Sequence, residues 1–100
     1  MVKQVIWSIQ AQNDRKQILE YWRQRNKSNQ YSKKLNNLFK EAVTLITEYP
    51  QIGRVTDDSQ ARIKIVRDYL IFYEETNDQI LILTIWDNRQ DPERLKDILK

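Results

Sequence analysis

Hydrophobic and polar positions divide the chain into a helical first half and a second half that alternates as strands do. After Asn29, apolar residues recur at intervals of three and four, as on one face of a helix, at Leu35, Leu38, Phe39, Ala42, Leu45, Ile46 and Tyr49. Pro50 ends this helix, because the residue before a proline avoids the helical region. A shorter stripe predicts an earlier helix over residues 11–25, with an apolar face formed by Ala11, Ile18, Leu19 and Trp22. The short polar break between the stripes predicts an antiparallel helical hairpin.

Strand-like patterns flank this hairpin. Residues 2–8 predict an N-terminal strand, and residues 62–65, 69–74 and 80–86 predict three more, joined by tight turns at residues 67–68 and 76–78. In the first of these three, Ile63 and Ile65 share one face and Arg62 and Lys64 share the other. Asp91-Pro92 predicts the start of a short C-terminal helix. The fold class is therefore α+β: an N-terminal strand, a helical hairpin, a three-stranded antiparallel meander and a final helix, in two layers.

Composition limits the chemistry that the chain can perform. One hundred residues, 40% hydrophobic and 31% charged, make one small globular domain spanning residues 1–100. The chain has neither cysteine nor histidine, so we predict no disulfide, no metal site and no cofactor, and the usual general base at neutral pH is missing. No apolar stretch is long enough to span a bilayer and no signal-peptide core is present, so the expected location is the cytoplasm, without a membrane partner.

The net charge of +3 is unevenly distributed. Residues 1–49 carry nine Lys or Arg against four Asp or Glu, whereas residues 50–100 carry eight against ten. The excess in the predicted hairpin comes from Arg15, Lys16, Arg23, Arg25, Lys27, Lys33 and Lys34. These cations are compatible with nucleic-acid phosphates, with an acidic protein partner or with a simple solvated helix face, and the solvated face is the favoured interpretation.

Several short motifs follow one another in a characteristic order: Trp7 and Ala11, Tyr21, Pro50-x-x-Gly53-Arg54, Arg62, Tyr69-x-x-x-Tyr73 and Ile85-Trp86-Asp87-Asn88-Arg89. Together they resemble the RelE/ParE family of bacterial toxins from type II toxin–antitoxin modules, over nearly the whole chain. The resemblance implies a growth-inhibiting toxin restrained by a cognate antitoxin, a segment of which lies along a hydrophobic groove. RelE-like toxins enter the ribosome and cut messenger RNA with basic residues, whereas ParE-like toxins inhibit DNA gyrase without a known hydrolytic site.

The candidate catalytic residues are three cations, Arg62, Lys64 and Arg89. On the open face of the sheet they would bind phosphates and stabilise the charge that develops when a neighbouring 2′-hydroxyl attacks the scissile phosphate. The alternatives are a solvated strand face for Arg62 and Lys64, and an ion pair for Arg89 with a nearby acidic residue. Because the three cations are expected to converge on one side of the sheet, we favour metal-independent mRNA cleavage slightly over gyrase inhibition, with the ribosome and mRNA as partners.

Four further residues are candidates for nucleic-acid or partner binding: Arg54, Arg67, Tyr69 and Tyr73. The alternative for Arg54 is that Gly53 supplies a positive φ and Arg54 pairs with Asp57 or Asp58. The alternative for the two tyrosines is that their rings are buried in the core while their hydroxyls contact water. Leu70 stands where RelE-like toxins usually carry an arginine, so a non-catalytic gyrase inhibitor stays open, as does an inactive toxin that represses its operon with its antitoxin.

Overall fold

The computed structural model describes residues 3–56 and 61–88. Over these residues the chain forms, in order, β1 (Gln4–Trp7), α1 (Ile9–Asn26), α2 (Gln30–Glu48), β2 (Arg54–Val55), β3 (Arg62–Val66), β4 (Tyr69–Glu75) and β5 (Gln79–Asp87). The predicted hairpin and the three meander strands are confirmed within one or two residues of their expected bounds. The predicted C-terminal helix and the candidate Arg89 lie outside the described residues.

Side chains and backbone conformation fix the ends of the two helices. Ser8 caps α1: its hydroxyl accepts a hydrogen bond from the Ala11 N–H at 2.9 Å and donates one to the Leu83 carbonyl at 2.7 Å. Lys27 ends α1 in a left-handed conformation (φ 52°). Asn29 occupies the N-cap position of α2, and that helix ends at Glu48, two residues before Pro50. Neither helix is long and apolar enough to cross a membrane.

The strands form one sheet with the order β1-β5-β4-β3-β2. The antiparallel meander of β3, β4 and β5 is confirmed. Two pairings go beyond the sequence prediction. The N-terminal strand β1 pairs in parallel with β5, so that Ile6 lies opposite Leu81. The two-residue strand β2, in a segment predicted as loop, pairs antiparallel with the first two residues of β3.

Helices α1 and α2 pack on one face of this sheet and form the main core with it. Its largest fully buried side chains are those of Leu35, Phe39, Ile46, Ile71, Tyr73, Ile80 and Ile82. A smaller cluster of Ala61, Phe72 and Trp86 is buried on the opposite face. The central strands are therefore apolar on both faces, as their sequence predicts.

Strand β5 contains a β-bulge, and hydrogen bonds beside it connect the sheet to α1. The register between β4 and β5 shifts at Phe72 and Tyr73, which leaves Leu83 as an extra residue in β5. Just after the bulge, one carboxylate oxygen of Asp14 accepts hydrogen bonds from the Thr84 hydroxyl at 2.5 Å and from the Ile85 N–H at 3.1 Å. Asp14 thus satisfies two donors of an irregular strand, and Thr84 is fully buried.

The orientation of β3 corrects one prediction. Arg62 lies opposite Tyr73, Lys64 opposite Ile71 and Val66 opposite Tyr69, and all three partners on β4 belong to the core beneath the helices. The two cations therefore point to the helix side of the sheet, and their predicted place on the open face is wrong. Alternation shows only that Arg62 and Lys64 share a face of β3. Val66 shares that face as well, and it belongs to the core beneath the helices, so the face is the one covered by α1 and α2.

Candidate partner-binding groove

An open groove runs between the C-terminal half of α2 and the edge of the sheet formed by β3. It consists of two depressions that meet at Leu45. The larger, of about 610 Å³, is lined by Leu45, Glu48, Tyr49, Pro50, Gln51, Ile52 and Glu75. The smaller, of about 280 Å³, is lined by Leu38, Glu41, Ala42, Leu45, Lys64, Ile65, Val66 and Arg67. We call the whole depression the α2–β3 groove.

The groove combines an apolar floor with charged ends. Tyr49 is 60% exposed, Ile52 43% and Ile65 56%, so three large apolar side chains are open to a partner here. At one end Lys64 and Arg67 outnumber a single acid, Glu41. At the other end lie Glu48 and Glu75, and Glu75 pairs with Lys3 at 3.3 Å. This arrangement suits an amphipathic peptide segment that carries charges of both signs.

The wall of the groove formed by β3 also offers backbone groups. Strand β2 pairs only with Arg62 and Ile63. Beyond them, none of the described strands pairs with the outer edge of β3. An extended peptide is therefore able to add hydrogen bonds along this edge in addition to its side-chain contacts.

The segment after α2 is held against the sheet by a set of contacts that we call the Tyr73 clasp. The Tyr73 hydroxyl donates to the Pro50 carbonyl at 2.8 Å and accepts from the Gly53 N–H at 2.8 Å. Arg62 donates from Nη1 to the carbonyls of Gly53 at 2.9 Å and Gln51 at 3.3 Å. Burial raises the pKa of the Tyr73 hydroxyl, which keeps it protonated and able to donate. The clasp positions Tyr49 and Ile52 at the mouth of the groove.

Gly53 belongs to this clasp because of its size. Its φ is not positive, so the expectation of a left-handed glycine is wrong. A Cβ at this position would instead meet the Tyr73 hydroxyl at 2.5 Å and the ring carbons at 2.8 Å and 2.9 Å. The single glycine of the chain is thus required for close approach between the loop and a buried aromatic ring.

The remaining candidate residues are dispersed. Tyr69 is buried and its hydroxyl accepts from the Trp22 indole at 2.7 Å, and Tyr73 is fully buried, so neither ring has a face free for a base. Arg54 is exposed on β2 opposite Ile63, which places it on the face away from the helices. Arg67 is exposed in the β3–β4 turn with a positive φ of 58°. The acids proposed as partners of Arg54 lie outside the described residues.

The candidate cations therefore have separate surroundings. Arg62 donates to backbone carbonyls in the clasp, Lys64 lines the groove, and Arg54 lies on the other face of the sheet. Within residues 3–56 and 61–88, no three carboxylates group together as a metal site would require. The groove residues Leu45, Tyr49 and Ile52 were not among the predicted site residues. The apolar stripe of α2 identified Leu45 and Tyr49 as helix-face residues, but only packing shows which part of that stripe stays open.

A comparison with protein families shows to which family this chain belongs. The model of the ParE toxin of the type II toxin–antitoxin system, parDE, matches residues 5–92. The chain belongs to the ParE toxin family. The resemblance to RelE/ParE toxins is thereby confirmed, and membership of the ParE family implies a cognate antitoxin as partner.

A solved structure supports the fold of this ParE-family chain. A chain of the chromosomal ParDE TA system from P. aeruginosa superposes with a TM-score of 0.73 at 16% sequence identity, covering 84% of this chain and 94% of that chain. At this identity the likeness concerns the fold. A comparison with curated proteins found no match.

Proposed function

We propose that this ParE-family protein arrests growth by binding and inhibiting DNA gyrase, and that it acts without cleaving RNA. The observation that supports this proposal most is the position of Arg62. Its guanidinium is directed to the helix side of the sheet and donates to the carbonyls of Gln51 and Gly53. A cation that stabilises a scissile phosphate has to be free to contact it, and this one is engaged in holding a loop.

The surroundings of the other candidates point the same way. Lys64 faces α2 across the groove and is not on an open sheet surface. Tyr69 and Tyr73, the residues suggested for base stacking, have buried rings. Binding of a protein target needs none of these groups to be free, because it depends on surface complementarity.

The first prediction concerns the target. Purified protein added to DNA gyrase should abolish supercoiling of a relaxed plasmid, and induced expression in cells should stop growth while primer extension finds transcripts intact. Lys64→Gln should retain growth arrest and gyrase inhibition, because the proposal gives Lys64 no part in chemistry. Normal supercoiling together with codon-phased transcript cuts that disappear in the Lys64 variant would instead select mRNA cleavage.

We further propose that the antitoxin segment occupies the α2–β3 groove. Its apolar side chains contact Leu45, Tyr49 and Ile52, and its acidic side chains lie near Lys64 and Arg67. The exposed apolar surface, the charges at both ends and the edge of β3 beyond Ile63, where none of the described strands pairs, support this assignment together.

The second prediction tests that assignment. Tyr49→Ser combined with Ile52→Ser should weaken the complex with the antitoxin on the order of tenfold or more, because two exposed apolar contacts are lost. Ile9→Ser is the matched control, since Ile9 is also exposed but lies at the start of α1, outside the groove. Isothermal titration with the antitoxin measures both. Equal affinity in all three proteins would place the antitoxin elsewhere.

A further inference from the structure

The helical hairpin carries a second exposed surface, outside the groove, whose charged side chains are almost all cationic. Its members are exposed residues from the middle of α1 to the start of α2: Lys16, Arg23, Lys27, Lys33 and Lys34, whereas Arg25 lies on the opposite side of α1 from Lys16. We call it the hairpin cation surface. The structure brings the two helices together here, because the Ser32 hydroxyl of α2 donates to the Leu19 carbonyl of α1 at 2.9 Å.

Few negative charges balance this surface. Between Asp14 and Glu41, Glu20 is the only carboxylate in the sequence. That carboxylate is already paired, since Arg23 and Gln24 both donate to it, and the bond from Arg23 lowers its pKa. Surfaces that serve solubility alone mix both signs. The surplus of exposed cations here is therefore unlike a simple solvated face.

Helix stability does not account for the charges either. Acidic residues stabilise the first turn of a helix, yet the first turn of α2 has none, and Lys33 and Lys34 follow it directly. Arg23 and Arg25 are favourably placed at the end of α1, but the lysines on α2 are not. The pattern is explained better by an external polyanion than by the needs of the two helices.

The chemistry of the surface favours a nucleic-acid duplex over an acidic peptide. An amphipathic peptide needs apolar surface beside the charges. Between Lys16 and Lys34, Tyr21 is the only exposed large apolar residue, whereas Tyr49, Ile52 and Ile65 are exposed in the groove. Single strands usually bind to aromatic platforms in a groove. Throughout the hairpin, residues 9–48, Tyr21 is the only exposed aromatic residue, and its ring packs edge-on against Trp22.

The hairpin cation surface lies outside the groove but close to one end of it. Lys34 precedes Leu38, which lines the smaller depression, by four residues, a helical rise of about 6 Å. The cations of this surface line neither depression, so an antitoxin segment in the groove leaves them exposed.

We propose that the hairpin cation surface binds the phosphate backbone of duplex DNA without sequence preference, whichever target the toxin inhibits. Each lysine or arginine that contacts a phosphate releases counterions, so affinity must fall steeply with salt. This property goes beyond the proposed binding to gyrase and to the antitoxin, and it holds for the isolated chain.

The third prediction tests this proposal by fluorescence anisotropy with a labelled 20-base-pair DNA duplex. Lys16→Gln, Lys33→Gln and Lys34→Gln together should lower the slope of log Kd against log salt by about 1 for each lysine removed. The affinity at low salt should fall on the order of tenfold or more. Glutamine matches lysine in helix propensity, and circular dichroism checks the fold. If the triple variant loses its helices, the three single variants replace it, each with an expected change in slope of about 1.

A matched control removes the same charge elsewhere. Arg54→Gln, Lys64→Gln and Arg67→Gln together should leave the slope unchanged, because these residues lie on the sheet and its turn. The proposal is overturned if the hairpin triple variant binds like the parent, if the control lowers the slope equally, or if a polyglutamate peptide binds as tightly as the duplex. A preference of more than tenfold between two unrelated duplexes also overturns it.

Discussion

Gly53→Ala is expected to lower the free energy of unfolding by about 2–3 kcal/mol. The new Cβ would lie 2.5 Å from the Tyr73 hydroxyl, and the ring cannot retreat because Tyr73 is fully buried. The loop must move outward instead. The movement breaks the hydrogen bonds from the Gly53 N–H to Tyr73 and from Arg62 to the Gly53 carbonyl. Urea denaturation followed by circular dichroism measures the loss.

A double-mutant cycle separates the steric cause from a general loop effect. In the Tyr73→Phe background the closest contact of the new Cβ is absent and the loop is no longer bound to the hydroxyl, so the alanine should cost about 1 kcal/mol less than in the parent. The same loss in both backgrounds would mean that the Tyr73 hydroxyl does not contribute to it, since the ring carbons and the Arg62 hydrogen bonds are present in both. The groove should also change, because the clasp positions Ile52: antitoxin affinity should fall in Gly53→Ala.

Asp14→Ala is expected to lower the free energy of unfolding by about 3 kcal/mol. One oxygen of its carboxylate accepts hydrogen bonds from the Thr84 hydroxyl and the Ile85 N–H just after the β-bulge. The other oxygen accepts one from the Gln10 side chain at 2.8 Å. Removal leaves two donors of a central strand without acceptors in a place from which water is largely excluded. Thermal and urea unfolding both report the change.

Two variants serve as controls for Asp14. Asp14→Asn keeps one carbonyl oxygen as acceptor, so it should lose about half as much stability as the alanine variant. Gln10→Ala removes only the exposed contact and should change stability by less than about 0.5 kcal/mol. If Asp14→Ala proves no worse than Gln10→Ala, the carboxylate does not support the bulge.

Periodicity revealed the elements whose patterns are local. The stripe from Leu35 to Tyr49 predicted α2, and the apolar runs either side of residues 76–78 predicted the hairpin of β4 and β5. Strand β2 was missed because two residues, Arg54 and Val55, are too few to show a period. The parallel pairing of β1 with β5 joins segments more than seventy residues apart, and no local pattern encodes it.

The sequence indicated less of the site, for physical reasons. Alternation grouped Arg62 with Lys64 but left their face undetermined, since apolar clusters exist on both sides of the sheet. The contact between Gly53 and Tyr73 spans twenty residues and depends on packing. Asp14 did leave a signal: a carboxylate three residues after Ala11 and four before Ile18 stands on the apolar face of α1, where a buried donor is to be expected.

The parallel pairing of β1 with β5 also determines when, during synthesis, the protein can fold. Strand β1 leaves the ribosome first, but its hydrogen-bonding partners in β5 begin only at residue 79. High contact order of this kind delays folding until the distant segment is available. A nascent chain that terminates before β5 lacks both the neighbour of β1 and the Thr84 hydroxyl that anchors Asp14. Translation products that end before β5 should therefore stay unfolded, and the fold should form only after residues 79–87 have been synthesised.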